Sequence, residues 1–345
     1  MKIGDKVIGK DNSVFVIAEA GVNYNNKLSL AYKMIDLAKK AGADAIKFQT
    51  FVAKNIQTED SKKPKYQETI RKKSYYDIIK SLEPSFNDQK KIFDYCKKKK
   101  ILFLSTPYDK DSVDFLDDLG VSAFKIASSD FTNHLFLKHV IKKQKPLLLS
   151  TGLSDAQHVD STYSLIKKMK MKNKVCFLHT TSDYPTKNND VNLLVIQEYF
   201  KKYKIPIGFS DHTKDYIASL GAISLGARIV EKHFTLDRNL PGPDQSSSFE
   251  PHELKEWIKK IRILEQNLGT NKKILTKSEQ KNLSMRKILV IKPINKNEKI
   301  SIKHLDSLRI DGNGVLPLQE NMEKIIGRPI LTNITKTAKF SWKMI

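Results

Sequence analysis

Eight short apolar runs recur along the chain, and most end in a polar residue followed by a turn or helix signal. They start at Val14, Asp44, Leu102, Ala123, Leu147, Val175, Ile207 and Arg228, and read VFVIAEA, DAIKFQT, LFLSTP, AFKIASS, LLLSTG, VCFLHTT, IGFSDHT and RIVEKHFT. They are too short, and too rich in β-branched or aromatic residues, for helices, so the pattern predicts strands. Amphipathic stretches separate most of them. In SLAYKMIDLAKKAG, Leu30, Met34, Leu37 and Ala38 fall on one helical face, and DSVDFLDDLG and YIASLGAISLGA behave similarly. Eight such units in about 270 residues predict an α/β fold, a (β/α)8 TIM barrel, in preference to a doubly wound open sheet.

One interval is irregular. Between the second and third runs lies the long segment from Phe51 to Lys100. It predicts a loop over the barrel mouth, followed by a helix in SFNDQKKIFDYCKKKK whose start carries an Asn or Ser cap. The barrel pattern stops after WIKKIRILEQNLG. The expected organisation is a barrel over 1–268, a polar linker over 269–284 and a small, mostly β module over 285–345.

Composition narrows the class. Forty per cent of the 345 residues are apolar, enough for a sizeable core and against wholesale disorder. No apolar run approaches the length of a membrane span. The first residues lack the shape of a secretory signal, so a cytoplasmic protein is expected. Cys96 and Cys176 show no metal-type spacing and are read as reduced packing residues. The formal charge of +23 invites a nucleic-acid reading, but only 7 of the 61 basic residues are Arg, the better fork for phosphate and base edges. The lysines cluster just ahead of strand-like runs, where helices end and cations are favoured. Neither nucleic acid nor membrane is expected as a partner; attraction of small anions is compatible with this surface.

Catalytic groups of such barrels sit at the C-terminal ends of the strands. Those ends offer Glu19, Lys47 with Gln49, Ser105 with Thr106, Lys125 with Ser128, Ser150 with Thr151, His179 with Thr180, Ser210 to His212, and Glu231 with His233. Strand alternation turns Ala45, Lys47 and Gln49 to one face and Ile46 and Phe48 to the other, and Lys125 opposite Phe124 and Ile126. The apolar faces meet helices, so both lysines and Glu19 point inward. A buried ammonium needs an anion; Glu19 as a structural partner is one answer, and a phosphate or carboxylate ligand is the other. His212 and His233 end neighbouring strands and could share one ion, with Glu231 and Gln49 orienting water around it, or they are hydrogen-bonded core residues. His179 reads equally as packing or as a ligand's neighbour. The rigid LPGPDQSSS turn presents Asp244 and Ser248, or holds an ordinary turn aspartate.

The motifs IAEAGVN, GADAIKFQTF, FLSTPYD, FKIAS, LLLSTG, FSDHT and EKHFTLDRNLPGPD, in order over nearly the whole chain, resemble the N-acetylneuraminate (sialic acid) synthase family, which includes legionaminic and pseudaminic acid synthases. The resemblance implies a (β/α)8 barrel followed by an antifreeze-like (SAF) domain. It implies condensation of phosphoenolpyruvate with an N-acetylated mannosamine-type sugar to a nine-carbon 2-keto acid plus phosphate, with a divalent metal, Mn2+ or Mg2+. Carried over by motif, His212 and His233 become metal ligands. Lys47, Thr106, Lys125, Ser128, Ser150, Ser182 and Ser210 form the phosphoenolpyruvate pocket, and Glu19, Tyr184 and Asp244 stand near the sugar or the attacking water. Arg309 would reach the sugar N-acyl group from a partner subunit, in a domain-swapped homodimer. The chain departs from the family at Tyr24 and Asn26 in NYNN, at Asp130 where Glu is common, and in RIDGNG around Arg309. The rival readings are a related synthase acting on another aldose and a non-catalytic polyanion or carbohydrate binder.

Overall fold

The computed structural model describes residues 1–9, 11–60 and 74–345. The chain divides into two compact units, Met1–Gly269 and Thr270–Ile345. The first opens with a small hairpin, β1 (Lys2–Ile3) and β2 (Lys6–Val7), which the pattern of apolar residues did not predict. Eight strands follow: β3 (Phe15–Gly21), β4 (Ala45–Thr50), β5 (Leu102–Pro107), β6 (Phe124–Ile126), β7 (Leu147–Ser150), β8 (Val175–His179), β9 (Ile207–Asp211) and β10 (Ile229–His233). They form one sheet in the order β5-β4-β3-β10-β9-β8-β7-β6, and its ladders are parallel. The two end strands, β5 and β6, also lie side by side, so the sheet closes into the predicted barrel.

Alternation along each strand builds two cores. Outward residues such as Val16, Ile46, Phe48, Phe103 and Val230 pack against the surrounding helices. Inward residues Phe15, Ile17, Ala45, Leu104, Leu148, Cys176, Leu178 and Ile229 fill the lower barrel, and Ile3 of the hairpin and Ile8 just after it join them. Each buried Phe, Ile or Leu among them contributes about 1.5–3 kcal/mol by leaving water. Two residues further along, the inward series turns polar: Ile17 is followed by Glu19, Ala45 by Lys47, Leu104 by Thr106, Ala123 by Lys125, Leu148 by Ser150 and Ile229 by Glu231. The barrel is therefore oil below and charge above.

Gly208 shows how tight the lower layer is. A β-carbon there would meet Leu178 Cδ2 and stand 2.7 Å from the Ile229 carbonyl oxygen. The carbonyl belongs to the neighbouring strand and cannot yield. Gly208→Ala is expected to cost about 1–3 kcal/mol, the usual penalty of overpacking, and denaturant unfolding would show it as a lower midpoint at an unchanged slope.

The helices obey the capping rules. Leu28–Ala41 buries Ala31, Met34, Ile35 and Ala38 and ends at left-handed Gly42 (φ 93°). Its buried stripe sits slightly off the predicted one, because Leu30 and Leu37 pack only partly. Within the long segment after β4 there are three helices, Ala53–Ile56, Tyr75–Leu82 and Phe86–Lys99. Ser85 caps the last of them by accepting from the Asp88 amide at 3.1 Å. Residues 61–73 of the expected mouth loop lie outside the described residues. Lys39 and Lys40, Lys97 to Lys99, and Lys167 and Lys168 fall in last helical turns, where the helix dipole favours cations.

In the second unit, residues 270–287 are almost wholly exposed and contain a short α-helix, Lys277–Gln280, and a 3-10 turn, Leu283–Met285. Beyond them, β11 (Ile288–Ile291) pairs antiparallel with β12 (Leu305–Leu308) and β13 (Ala338–Lys339). A separate core of Leu289, Ile291, Ile300, Ile325, Ile330 and Phe340 holds this unit together. Cys96 and Cys176 are both buried and unpaired. Among the described residues no helix is long and apolar enough to cross a membrane.

Candidate active site

The polar upper layer lines a cavity of about 810 Å³. Fourteen of the fifteen candidate residues border it: Glu19, Lys47, Gln49, Thr106, Lys125, Ser128, Ser150, Ser182, Tyr184, Ser210, His212, Glu231, His233 and Asp244. The fifteenth, Arg309, is exposed in the second unit, just after β12.

The centre is a buried charge cluster. Lys47 Nζ lies 2.7 Å from Glu19 Oε2 and 3.7 Å from Glu231 Oε2, and it donates to Thr106 Oγ1 at 3.1 Å. Lys125 Nζ stands 3.6 Å from Glu231 Oε1, which also accepts from Ser210 Oγ at 3.0 Å. Gln49 Nε2 reaches the other oxygen of Glu19 at 3.5 Å. The strand register makes these contacts: Glu19 is paired with Lys47 on one side and His233 on the other, and Ser210 with Glu231.

Electrostatics sets these groups apart. Burial pushes the Glu19 carboxyl up to about 7, against the pull of Lys47. Burial also pushes Asp244 up to about 6. For Glu231, burial works the same way, but Lys125 and Lys47 outweigh it and hold the group down at about 2. Burial opposes the charge on both lysines. Glu19 and Glu231 overcome it for Lys47, which is raised, whereas Lys125 falls to about 8. Near neutral pH the cup thus holds two ammonium groups against one fixed carboxylate, with Glu19 and Asp244 close to protonation. That balance suits an anionic ligand, which three full carboxylates would repel. Ser150 Oγ is buried among these groups without a hydrogen-bond partner, as an unused donor. Beside it, a β-carbon on Gly152 would stand 2.6 Å from Ser128 Oγ and meet Ser182 Oγ, so only glycine lets these hydroxyls converge.

The two imidazoles stand together, ring centroids 5.5 Å apart. His212 Nδ1 is 2.8 Å from the Thr181 carbonyl, so it carries the proton, and the lone pair is left on Nε2. His233 Nδ1 is buried with no hydrogen-bond partner. Burial drives His212 down to about 4, and burial with His212 nearby drives His233 well below its ordinary value. Both rings are neutral and have lone pairs to give, which is the donor set a divalent cation takes from two histidines. The Tyr184 ring packs at 4.2 Å from His212 and 5.5 Å from His233. Asp244 Oδ2 lies 4.0 Å from His233 Nδ1. Among the described residues, the one group of three or more His, Cys, Asp or Glu with ligand spacing is Glu250, His252 and Glu253. It lies outside this cavity, where Glu250 and Glu253 form the capping box of helix Pro251–Leu268.

Five polar residues read at the strand ends do not line the cavity, and one of them, Thr180, has its hydroxyl 3.3 Å from His212 Nδ1. Ser105 bonds Thr50 and the Phe48 carbonyl, Thr151 bonds the Leu178 carbonyl, and Asp211 pairs with Lys232. His179 bonds the Val191 carbonyl at 2.7 Å and packs on Tyr199 and Phe209, so it is a packing residue. Tyr24 is buried, edge-on to Phe48, with its hydroxyl 3.3 Å from Gln89 Nε2. Asp130 does line the cavity, as do Tyr108 and Tyr75, which sequence reasoning missed. Tyr108 follows directly on β5, and that position was its only signal.

A family model, the NeuB family, matches residues 34–273. This chain belongs to the NeuB family. The motif resemblance to sialic acid synthases therefore identified the family correctly, and the chain is an enzyme of that synthase type. It is 40% identical to the N,N'-diacetyllegionaminic acid synthase of Campylobacter jejuni over 318 residues, 91% of this chain and 94% of that protein. It is 36% identical to the N,N'-diacetyllegionaminic acid synthase of Legionella pneumophila, covering 99% of this chain and 97% of the relative. Its fold matches the crystal structure of an N-acetylneuraminic acid synthetase from Leptospira borgpetersenii in complex with citrate, with a TM-score of 0.72 and 35% identity. That match covers 83% of this chain and 95% of the other.

Proposed function

We propose that this NeuB-family enzyme condenses phosphoenolpyruvate with an N-acetylated mannosamine-type sugar, giving a nine-carbon 2-keto acid and phosphate. One observation carries the reading: two buried ammonium groups, an unpartnered serine hydroxyl and two neutral imidazoles share one cavity. In this reading Lys47, Lys125, Thr106, Ser128, Ser150, Ser182 and Ser210 hold the phosphate and carboxylate of the donor. His212 and His233 would hold a divalent metal, Mn2+ or Mg2+, with Gln49 and Glu231 ordering water beside them. A cation bound there supplies Lewis-acid polarisation of the sugar aldehyde.

The remaining work falls to the chain. C3 of phosphoenolpyruvate bonds to the aldehyde carbon with the electron pair of its C2–C3 double bond, leaving positive charge at C2, and the aldehyde oxygen takes up a proton from solvent. Water adds at C2 and gives its proton to Glu19, which burial has made basic enough to accept it. The C2–oxygen bond to phosphate then breaks, and Lys47 and Lys125 stabilise the departing charge in a buried site. Tyr184 and Asp244 bound the sugar end. Arg309 enters the reading through a second copy of the chain, in a domain-swapped homodimer, at the sugar N-acyl group.

A diacetamido-trideoxyhexose is the second substrate to test. Ile56, Ile79 and Leu82 give one wall of the cavity an apolar character that suits a 6-methyl group, and the two relatives above are named for the corresponding product. A phosphate-release assay with phosphoenolpyruvate and either sugar, with and without Mn2+, tests both. The expected result is one phosphate per 2-keto acid formed, lost on chelation. Absence of phosphate release with every aldose tried would refute the reading.

A further inference from the structure

Lys232 lies between two cavity residues, Glu231 and His233, yet its side chain points to the outside of the barrel. It is only 1% exposed. Its ammonium pairs with Asp211 Oδ1 at 3.1 Å and donates to the carbonyls of Thr213 at 2.7 Å and Asp215 at 2.6 Å. It also sits 4.5 Å above the ring of Phe249, whose amide donates to the His233 carbonyl at 2.8 Å. Asp211 is equally occupied. It accepts from the Thr213 amide at 2.8 Å and hydroxyl at 2.7 Å, and its other oxygen takes the Ser219 hydroxyl.

The pair therefore ties the residue before His212 to the residue before His233, and pins the loop that follows His212. Apolar side chains of similar volume would hold β9 to β10 at least as firmly, since a buried ion pair is a poor source of stability. What the ion pair adds is directionality: its hydrogen bonds admit one relative placement of strand and loop. The two imidazoles project from the opposite face of that fixed frame.

We propose that Lys232 and Asp211 form a positioning clamp that sets the spacing and aim of His212 and His233, and thereby the affinity of the site for a divalent cation. This rests on reading the two histidines as metal ligands. The test is titration of Mn2+ alone into the full-length, chelator-stripped protein, with free Mn2+ followed by electron paramagnetic resonance. Wild type, Asp211→Asn, Lys232→Met and His212→Ala are compared, with thermal melts run in parallel. Asp211→Asn keeps the shape of the site, so it carries the test if Lys232→Met does not fold. The clamp variants are expected to bind Mn2+ about 10–100-fold more weakly, the usual effect of losing support behind a ligand. Their turnover should recover at high Mn2+, with the KM for phosphoenolpyruvate near the wild-type value. Folded clamp variants with wild-type Mn2+ affinity, beside a His212→Ala variant that has lost it, overturn the clamp alone. If His212→Ala binds Mn2+ as wild type does, or wild type binds none, the metal reading fails and the clamp with it.

Discussion

Lys47→Met is expected to lower kcat/KM for phosphoenolpyruvate by about 10²–10³-fold, the range seen when one preorganised charge-stabilising donor is removed. Lys47 is the only ammonium in contact with both Glu19 and Glu231 among the described residues. Without it the cup holds one ammonium, Lys125, against one fixed carboxylate, Glu231, and an incoming phosphate loses the net positive charge that attracted it. Stability should fall too, because breaking a buried pair typically costs about 3–5 kcal/mol. The lower end is expected here. Glu19 already sits at about 7 and can keep its proton, which spares the protein a naked buried carboxylate. Glu231 still has Lys125 at 3.6 Å and Ser210 at 3.0 Å. The catalytic loss should therefore exceed the loss of stability, and initial rates of phosphate release beside denaturant unfolding would separate the two. A folded variant with wild-type kcat/KM would remove Lys47 from the anion site.

The barrel and most of its mouth were legible because one physical rule governs both. A strand buried on both faces must still choose which residues meet the helices, and Phe48, Phe124 and Ile126 chose for Lys47 and Lys125. The same rule misjudged the strand ends where an outward polar residue finds its own partner. Ser105 has Thr50 and Asp211 has Lys232, and neither partner is visible from one strand alone. Tyr24 departs from the family pattern, and the structure packs it edge-on against Phe48 behind the strand. The hairpin at the barrel floor escaped notice because two short strands carry too few apolar residues to show a period. Tyr75, Ile79 and Leu82 reach the cavity from a helix whose place depends on tertiary packing, beyond the reach of periodicity.

Glu19→Gln is expected to lower kcat by about 10²–10⁴-fold, the span of general acid–base catalysis, and to change the shape of the pH profile. In the wild type, Glu19 takes a proton from water only when ionised. Burial holds it at about 7, so kcat/KM should climb as pH rises through that value. Lys125, pushed down to about 8 by burial, loses its charge above that value and with it part of the anion site. The result is a narrow bell, whose two limbs belong to the coupled cluster of Glu19, Glu231, Lys47 and Lys125. Phosphoenolpyruvate's own phosphate titrates at about 6, but it does so with every variant and cancels in the comparison. In Glu19→Gln the acid limb should flatten while the alkaline limb stays. In Lys125→Arg, which cannot lose its charge in this range, the alkaline limb should disappear while the acid limb stays. An acid limb that survives Glu19→Gln but vanishes in Asp244→Asn would move the base role to Asp244, which burial holds at about 6. The two carboxyls have different nearest partners: Glu19 is 2.7 Å from Lys47, whereas Asp244 is 4.0 Å from His233. The pH profile therefore reports whether the proton leaves water beside the ammonium that receives the phosphate or beside the imidazole proposed to hold the metal.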